Sequence, residues 1–148
     1  MSHALISVKP EYVVSILSGM KTIELRRRPL NLSAGTKLWI YSTSPRSCVE
    51  AVVEIRRIVR CSPSVLWSKF REALCISRQD FDRYVAGCKE VTAIFLGNVV
   101  RLRKSLSLDK IRSSERGFQP PQFFLHLHKH HPVFAILTRS TRALSRLI

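Results

Sequence analysis

The chain has 148 residues, with 25 Lys and Arg against 10 Asp and Glu and a formal charge of +15. One compact domain is the natural expectation at that length, and 45% apolar residues with seven Phe and two Trp supply a core, which excludes a disordered chain. No apolar run approaches the ~20 residues that span a bilayer, and the opening MSHALISVKP lacks a secretory pattern. The sequence therefore reads as cytoplasmic and drawn to polyanions, nucleic acid first.

Leu5 to Lys9 alternates weakly and stops at Pro10, which predicts a first strand. Pro10 suits the first turn of a helix in which Tyr12, Val13, Ile16 and Leu17 recur at helical spacing, with Gly19 as its C-terminal cap. Lys21 to Arg27 alternates again, Ile23 and Leu25 facing one way and Thr22, Glu24 and Arg26 the other. After a loop with Pro29 and Gly35, Lys37 to Thr43 predicts a third strand closed by Ser44-Pro45, and the Val- and Ile-rich stretch Cys48 to Val59 predicts a fourth. Ser62-Pro63 opens a helix through about Ala73; Ser77, with Asp80 three residues on, opens another that ends at Gly87. Val91 to Arg103 predicts a long strand with a bulge or bend at Gly97-Asn98. Residues 104–118 read as polar and irregular with one short helical turn, residues 119–122 (QPPQ) as extended, and Phe123 to Leu127 as a last strand.

So many adjacent strands exclude a doubly wound sheet and point to an α+β fold: a small, mostly antiparallel β-barrel decorated by helices. The domain is expected over residues 1–130. Residues 131–148 then form a basic C-terminal tail or an appended amphipathic helix, with Ile136, Leu137, Ala143, Leu144 and Leu147 at helical spacing and Arg139, Arg142 and Arg146 among them.

The charge is uneven. Residues 1–100 carry a net +7, densest at Arg26-Arg27-Arg28 and next at Arg56, Arg57 and Arg60, while residues 101–148 carry +8. The four cysteines (48, 61, 75 and 88) stand 13 or 14 residues apart with no CxxC pair, and reduced, mostly buried thiols are the default. His126, His128 and His130 share a face if their stretch is a strand, but no Cys or carboxylate lies nearby to complete a metal site. No cofactor and no metal is expected.

Several stretches together, GMKTIELRRR after the first helix, LWIYSTSP, ISRQDFDRYVAG, TAIFLGNV and FQPPQFF, resemble the ASCH domain family over residues 4–126. The Gly19-x-Lys21-Thr22 turn feeding a basic strand and the Tyr41-Ser42-Thr43-Ser44-Pro45 strand end are the most specific elements. The resemblance implies a PUA-like β-barrel, a ligand cleft beside it, and RNA binding or a transcription-linked role. One branch of the family deacylates acetylcytidine with a lysine after the helix, a threonine three residues later and a glutamate; other members are described as ribonucleases. Lys21 matches the lysine and Arg26 a basic residue of the same strand, Glu72 lies in the region of the glutamate, and Glu24 replaces the threonine, so the deacylase hydroxyl is absent.

The residues also carry a reading of their own. Glu24 and Arg26 share a strand face that Lys21 reaches if it begins the strand, which makes either an exposed salt-bridge pattern or a ligand cleft. In a cleft, Lys21, Arg26, Arg27 and Arg28 hold phosphates while Tyr41, with Ser42 beside it, meets a base; Trp39, on the same face as Tyr41, is expected in the core. Three functions follow: an RNA-binding protein that accommodates an unpaired or modified nucleotide; a hydrolase on a nucleoside or RNA that uses Lys21 with Glu24; and a regulator whose C-terminal tail docks on a protein partner.

Overall fold

The structure is a computed structural model that describes the backbone of residues 1–145 and the side chains as far as Arg139. The expectations for Arg142, Ala143, Leu144, Arg146 and Leu147 lie outside the described side chains.

In chain order the elements are β1 (His3–Val8), α1 (Pro10–Leu17), β2 (Ile23–Arg26), β3 (Lys37–Ser42), β4 (Cys48–Cys61), α2 (Pro63–Leu74), α3 (Arg78–Val85), β5 (Val91–Ser107), α4 (Leu108–Ser114), β6 (Phe124–His126) and α5 (Pro132–Ser145). The strands form one six-stranded sheet in the order β2-β5-β4-β3-β1-β6, curled into a half-barrel. β1 and β3 run parallel and the other four pairings are antiparallel. This is the expected α+β architecture.

Each face of the sheet is covered by different helices. Ile6, Leu38, Ile40, Val53, Ile55 and Ile94 meet Val13 and Ile16 of α1 on one side. On the other side Ile23, Leu25 and Ala93 pack on Leu66 and Leu74 of α2 and Phe81 and Val85 of α3. Further along, Leu5, Trp39, Leu102 and Leu106 pack on Ile111 of α4 and Val133 and Leu137 of α5. The apolar runs ALI and LWIY are therefore buried on both faces, as strands covered on two sides must be.

Two expectations shift. β5 runs on to Ser107 instead of ending near Arg103, and the irregular stretch after it contains the seven-residue α4, whose first turn is capped by the Ser107 hydroxyl accepting from the Lys110 N–H. The break at Gly97-Asn98 is a bulge: Val53 faces Val99 while Ile55 faces Leu96, so two β5 residues oppose Glu54 alone. A side chain at Gly97 would bring its Cβ within 3.0 Å of the Glu54 carbonyl oxygen, which is why a long strand carries glycine here.

α5 is the element for which a tail was the other expectation. It lies on the sheet with Val133 and Leu137 inside the second core cluster, so among the described residues part of its apolar stripe is used within the chain.

Candidate functional site

The half-barrel leaves β2 and β6 as its two edges, and the gap near them holds a cleft of about 1050 Å³. Its walls are residues 7–9 at the end of β1, residues 24–27 of β2 and just beyond, the loop after β3, one side of α3, and residues 119–122 ahead of β6. Six basic side chains (Lys9, Lys21, Arg26, Arg27, Arg83 and Arg112) line it against three acidic ones (Glu11, Glu24 and Asp80), so it attracts anions.

Lys21 is placed by the end of α1. Gly19 takes a φ of +83, which turns the chain out of the helix, and the Lys21 N–H then donates to the Ser15 carbonyl at 3.0 Å. The side chain, only 3% exposed, donates from Nζ to the Leu74 carbonyl oxygen at 2.6 Å, at the negative end of α2. Nζ also lies 3.8 Å from Glu24 Oε1 and 5.1 Å from the centre of the Tyr12 ring. Burial pushes the Lys21 amine below its ordinary pKa, while Glu24 and Cys75 pull it back up and Arg26 adds to the lowering.

Glu24 and Arg26 sit on one face of β2, the face that Ile94 shares across the ladder. Glu24 Oε1 accepts the Leu25 N–H at 2.9 Å and Oε2 accepts from Arg26 Nη2 at 3.1 Å. Arg26 Nη2 also donates to the Ser7 carbonyl at 2.7 Å, and the Ser7 hydroxyl donates to the Pro121 carbonyl at 2.6 Å. The two sheet edges are thus stitched side chain by side chain where the ladder stops. Arg26 Nε is buried and finds no partner among the described residues. The pattern that could have been an exposed salt bridge is a buried one, in a network with one donor unmet.

The remaining expected residues divide. Arg27 lines the cleft, and Arg28 lies beyond it at the surface with its carbonyl accepting from the Thr92 hydroxyl at 2.7 Å. Tyr41 borders the cleft but is only 3% exposed and packs in the core with Trp39, so it has no free face on which to stack a base. Ser42 is fully buried and does not line the cleft; its hydroxyl has no partner among the described residues. Trp39 is core, donating from Nε1 to His3 Nδ1 at 3.0 Å. Glu72 is exposed on α2 and is not part of the cleft wall.

The ring faces come from Tyr12 of α1 and Tyr84 of α3, helices whose sequence pattern marks neither ring as part of a site. Tyr12 is half-buried beside Lys21, and Tyr84 of α3, 38% exposed, donates its hydroxyl to the Leu25 carbonyl at 3.4 Å. Burial raises the pKa of both phenols, with Glu11 the next cause at Tyr12 and Arg26 opposing at Tyr84. The QPPQ wall is held by Arg112, which donates from Nε to the Phe118 carbonyl and from Nη2 to Gln119 Oε1 at 3.2 Å. Among the described residues no three His, Cys, Asp or Glu side chains gather as metal ligands, and the four thiols are free.

A family model described as a domain of unknown function (DUF365) matches residues 4–115. An ASCH domain-containing ribonuclease of Zymomonas mobilis subsp. mobilis is 33% identical over 127 residues, 86% of this chain and 85% of that one. The chain belongs to the ASCH domain family. The crystal structure of an ASCH protein from Zymomonas mobilis superposes with a TM-score of 0.84 at 31% identity, over 92% of this chain and 94% of that one. Human THYN1, crystallised in complex with DNA containing 5-methylcytosine, shares the fold with a TM-score of 0.57 at 10% identity, over 95% of this chain and 98% of that one. No helix among the described residues is long and apolar enough to cross a membrane.

Proposed function

We propose that this ASCH-domain chain binds RNA, taking an unpaired or modified nucleotide into the cleft between the sheet edges. The observation that carries the reading is the convergence in one cleft of Lys9, Lys21, Arg26, Arg27, Arg83 and Arg112 with the ring faces of Tyr12 and Tyr84. Cations hold phosphates through charge-assisted hydrogen bonds, and stacking of a base on an aromatic ring is worth about 1–3 kcal/mol whatever the base. Binding of single-stranded RNA followed against salt tests this. Affinity should fall linearly on logarithmic axes, by about 0.7 in slope for each phosphate neutralised. An affinity indifferent to salt, or none at low salt, removes the reading.

A second reading, RNA cleavage in the same cleft, is favoured by the relative described as a ribonuclease and by the buried amine of Lys21 with its lowered pKa. An amine so tuned exchanges a proton nearer neutrality than a free lysine does, and the arginines beside it neutralise the phosphate on which charge develops. Structureless RNA and acetylcytidine, each incubated with the wild type and with Lys21→Ala, decide it. Cleavage of RNA that disappears with Lys21→Ala is the expected result. Acetylcytidine should remain intact, because Glu24 stands where the deacylase branch has its threonine. RNA turnover that survives the substitution takes Lys21 out of the chemistry.

A further inference from the structure

The cleft face does not stop at β2. Across the ladder Arg26 faces Thr92 of β5, and Thr92 faces Arg60 of β4. Cross-strand partners present their side chains to the same face, so Arg60 stands on the face that carries Glu24 and Arg26, two strands away. Neighbouring strands are about 4.8 Å apart, which puts the β4 edge of this row about 10 Å from β2.

The row is built rather than incidental. Arg60 Nη1 donates to the Arg27 carbonyl at 3.0 Å and to the Thr92 hydroxyl at 2.9 Å, and the Thr92 hydroxyl donates to the Arg28 carbonyl at 2.7 Å. These bonds pin the backbone of residues 27 and 28 while the side chains of Arg27, Arg28 and Arg60 remain exposed. Among the described residues none of the three pairs with a carboxylate. A guanidinium has five N–H donors, so the Arg60 bonds through Nη1 leave Nε and the other amino group for a ligand. Three unneutralised arginines on a fixed backbone, continuous with a cationic cleft, repel one another unless an anion lies between them.

We propose that this row carries the phosphates that flank the nucleotide in the cleft, Arg27 and Arg28 on one side and Arg60 beyond them, so that the ligand is an RNA strand of several nucleotides and not a free nucleoside or nucleotide. The proposal rests on the RNA reading of the cleft. The bland account, that Arg60 only clamps the β2 end, predicts a loss independent of charge.

The full chain is titrated with a fluorescein-labelled oligouridylate of about twelve nucleotides and with uridine monophosphate, across a salt series. The oligomer should bind at least about tenfold more tightly than the monophosphate. Arg28→Gln and Arg60→Gln should each weaken the oligomer several-fold and lower its salt slope by about 0.7, with the monophosphate unaffected. Arg60→Lys, which keeps the charge and loses the fork, should keep most of the slope. If the oligomer binds no more tightly than the monophosphate, or if Arg28→Gln and Arg60→Gln leave its slope unchanged, the row is not a phosphate track. If Arg60→Lys costs as much slope as Arg60→Gln, Arg60 is a clamp and leaves the track. An oligomer that the wild type does not bind at all overturns the reading of the cleft itself, and the row with it.

Discussion

At the start of the parallel β1–β3 pair, His3 accepts the Trp39 indole N–H and its ring meets Phe134 of α5 edge-on with centres 4.9 Å apart. Four residues on in β1, Ser7 is tied to Arg26 and Pro121, and the neighbouring strand ends in Ser42, whose hydroxyl is buried without a partner. The same two strands thus join a closed end and an open end. At the closed end the polar groups on view meet partners and α5 covers them. At the open end charge is buried beside a cleft, with Arg26 Nε also unmet. A buried donor without a partner calls for an explanation, and the one on Arg26 belongs to a residue of the cleft wall, so the open end is the end where a ligand is expected.

The comparison breaks most sharply at Glu24. The residue is 7% exposed, its carboxylate faces Lys21 and Arg26 together, and neither cation has another carboxylate partner among the described residues. Glu24→Ala should cost about 3–5 kcal/mol in urea unfolding, the range for stripping one member from a buried ion network. It should also drive the Lys21 amine further down, since Glu24 is the first cause holding it up. A loss under about 1 kcal/mol would mean that water already screens the network, and that the open end is no more strained than the surface.

Tyr84 comes next. Its ring stands at the mouth of the cleft, and Tyr84→Ala should weaken single-stranded RNA by the stacking of one base, about 1–3 kcal/mol or some 5- to 150-fold, and duplex RNA far less. Tyr84→Phe, which keeps the ring and drops the hydroxyl bond to Leu25, should bind nearly as wild type. Equal losses on single strands and duplexes would assign Tyr84 to the wall and not to a stacked base.

The open end was legible where its chemistry is local and illegible where it depends on which way a ring faces. Lys21, Glu24, Arg26 and Arg27 fall within seven residues, so helix, glycine turn and alternating strand suffice to gather them. Tyr41 shares that strand logic with Trp39, but α4 and α5 bury its face, and nothing in KLWIYST announces two helices that arrive some seventy and ninety residues later. Tyr12 reads as an apolar position of an amphipathic helix, because periodicity assigns a residue to a stripe and not to the gap beside it, and nothing in SRQDFDRYVAG singles out Tyr84. The barrel class followed from strand count and the Gly97 bulge. The parallel β1–β3 pairing, which sets the two ends apart, is a long-range choice that the local pattern does not encode.

The closed end is tested by acid. His3 has its pKa lowered from 6.5, first by burial and then by the charges of the N-terminus and Lys37. A base whose folded pKa is depressed adds stability that is complete above the unfolded value and is lost as pH falls through the folded one. Between pH 8 and 7 the unfolding free energy of the wild type minus that of His3→Gln should be flat. Below 6.5 it should drop, because the proton that buried His3 resists in the fold also removes the Nδ1 acceptor of the Trp39 bond. Glutamine offers an acceptor that does not titrate, and taking the difference cancels the other histidines. A difference that stays flat to pH 5 would show the closed end to be held by packing alone.

The smallest effect belongs to Ser42. A hydroxyl buried with no partner forfeits its water without replacement, and alanine fills nearly the same space, so Ser42→Ala should stabilise the chain by up to about 1 kcal/mol. Ser42 lies opposite Val8 in the parallel pair and outside the cleft wall, so RNA affinity should stay within about twofold of wild type, the spread expected of a site that touches nothing on the ligand. The two measurements discriminate only together. Stabilisation with unchanged binding makes the orphaned hydroxyl a cost of ending two buried strands at a polar seam. Weaker binding would mean that the ligand reaches past Ser7 to supply the missing partner, and the open end would then extend one layer deeper into the half-barrel than its walls now indicate.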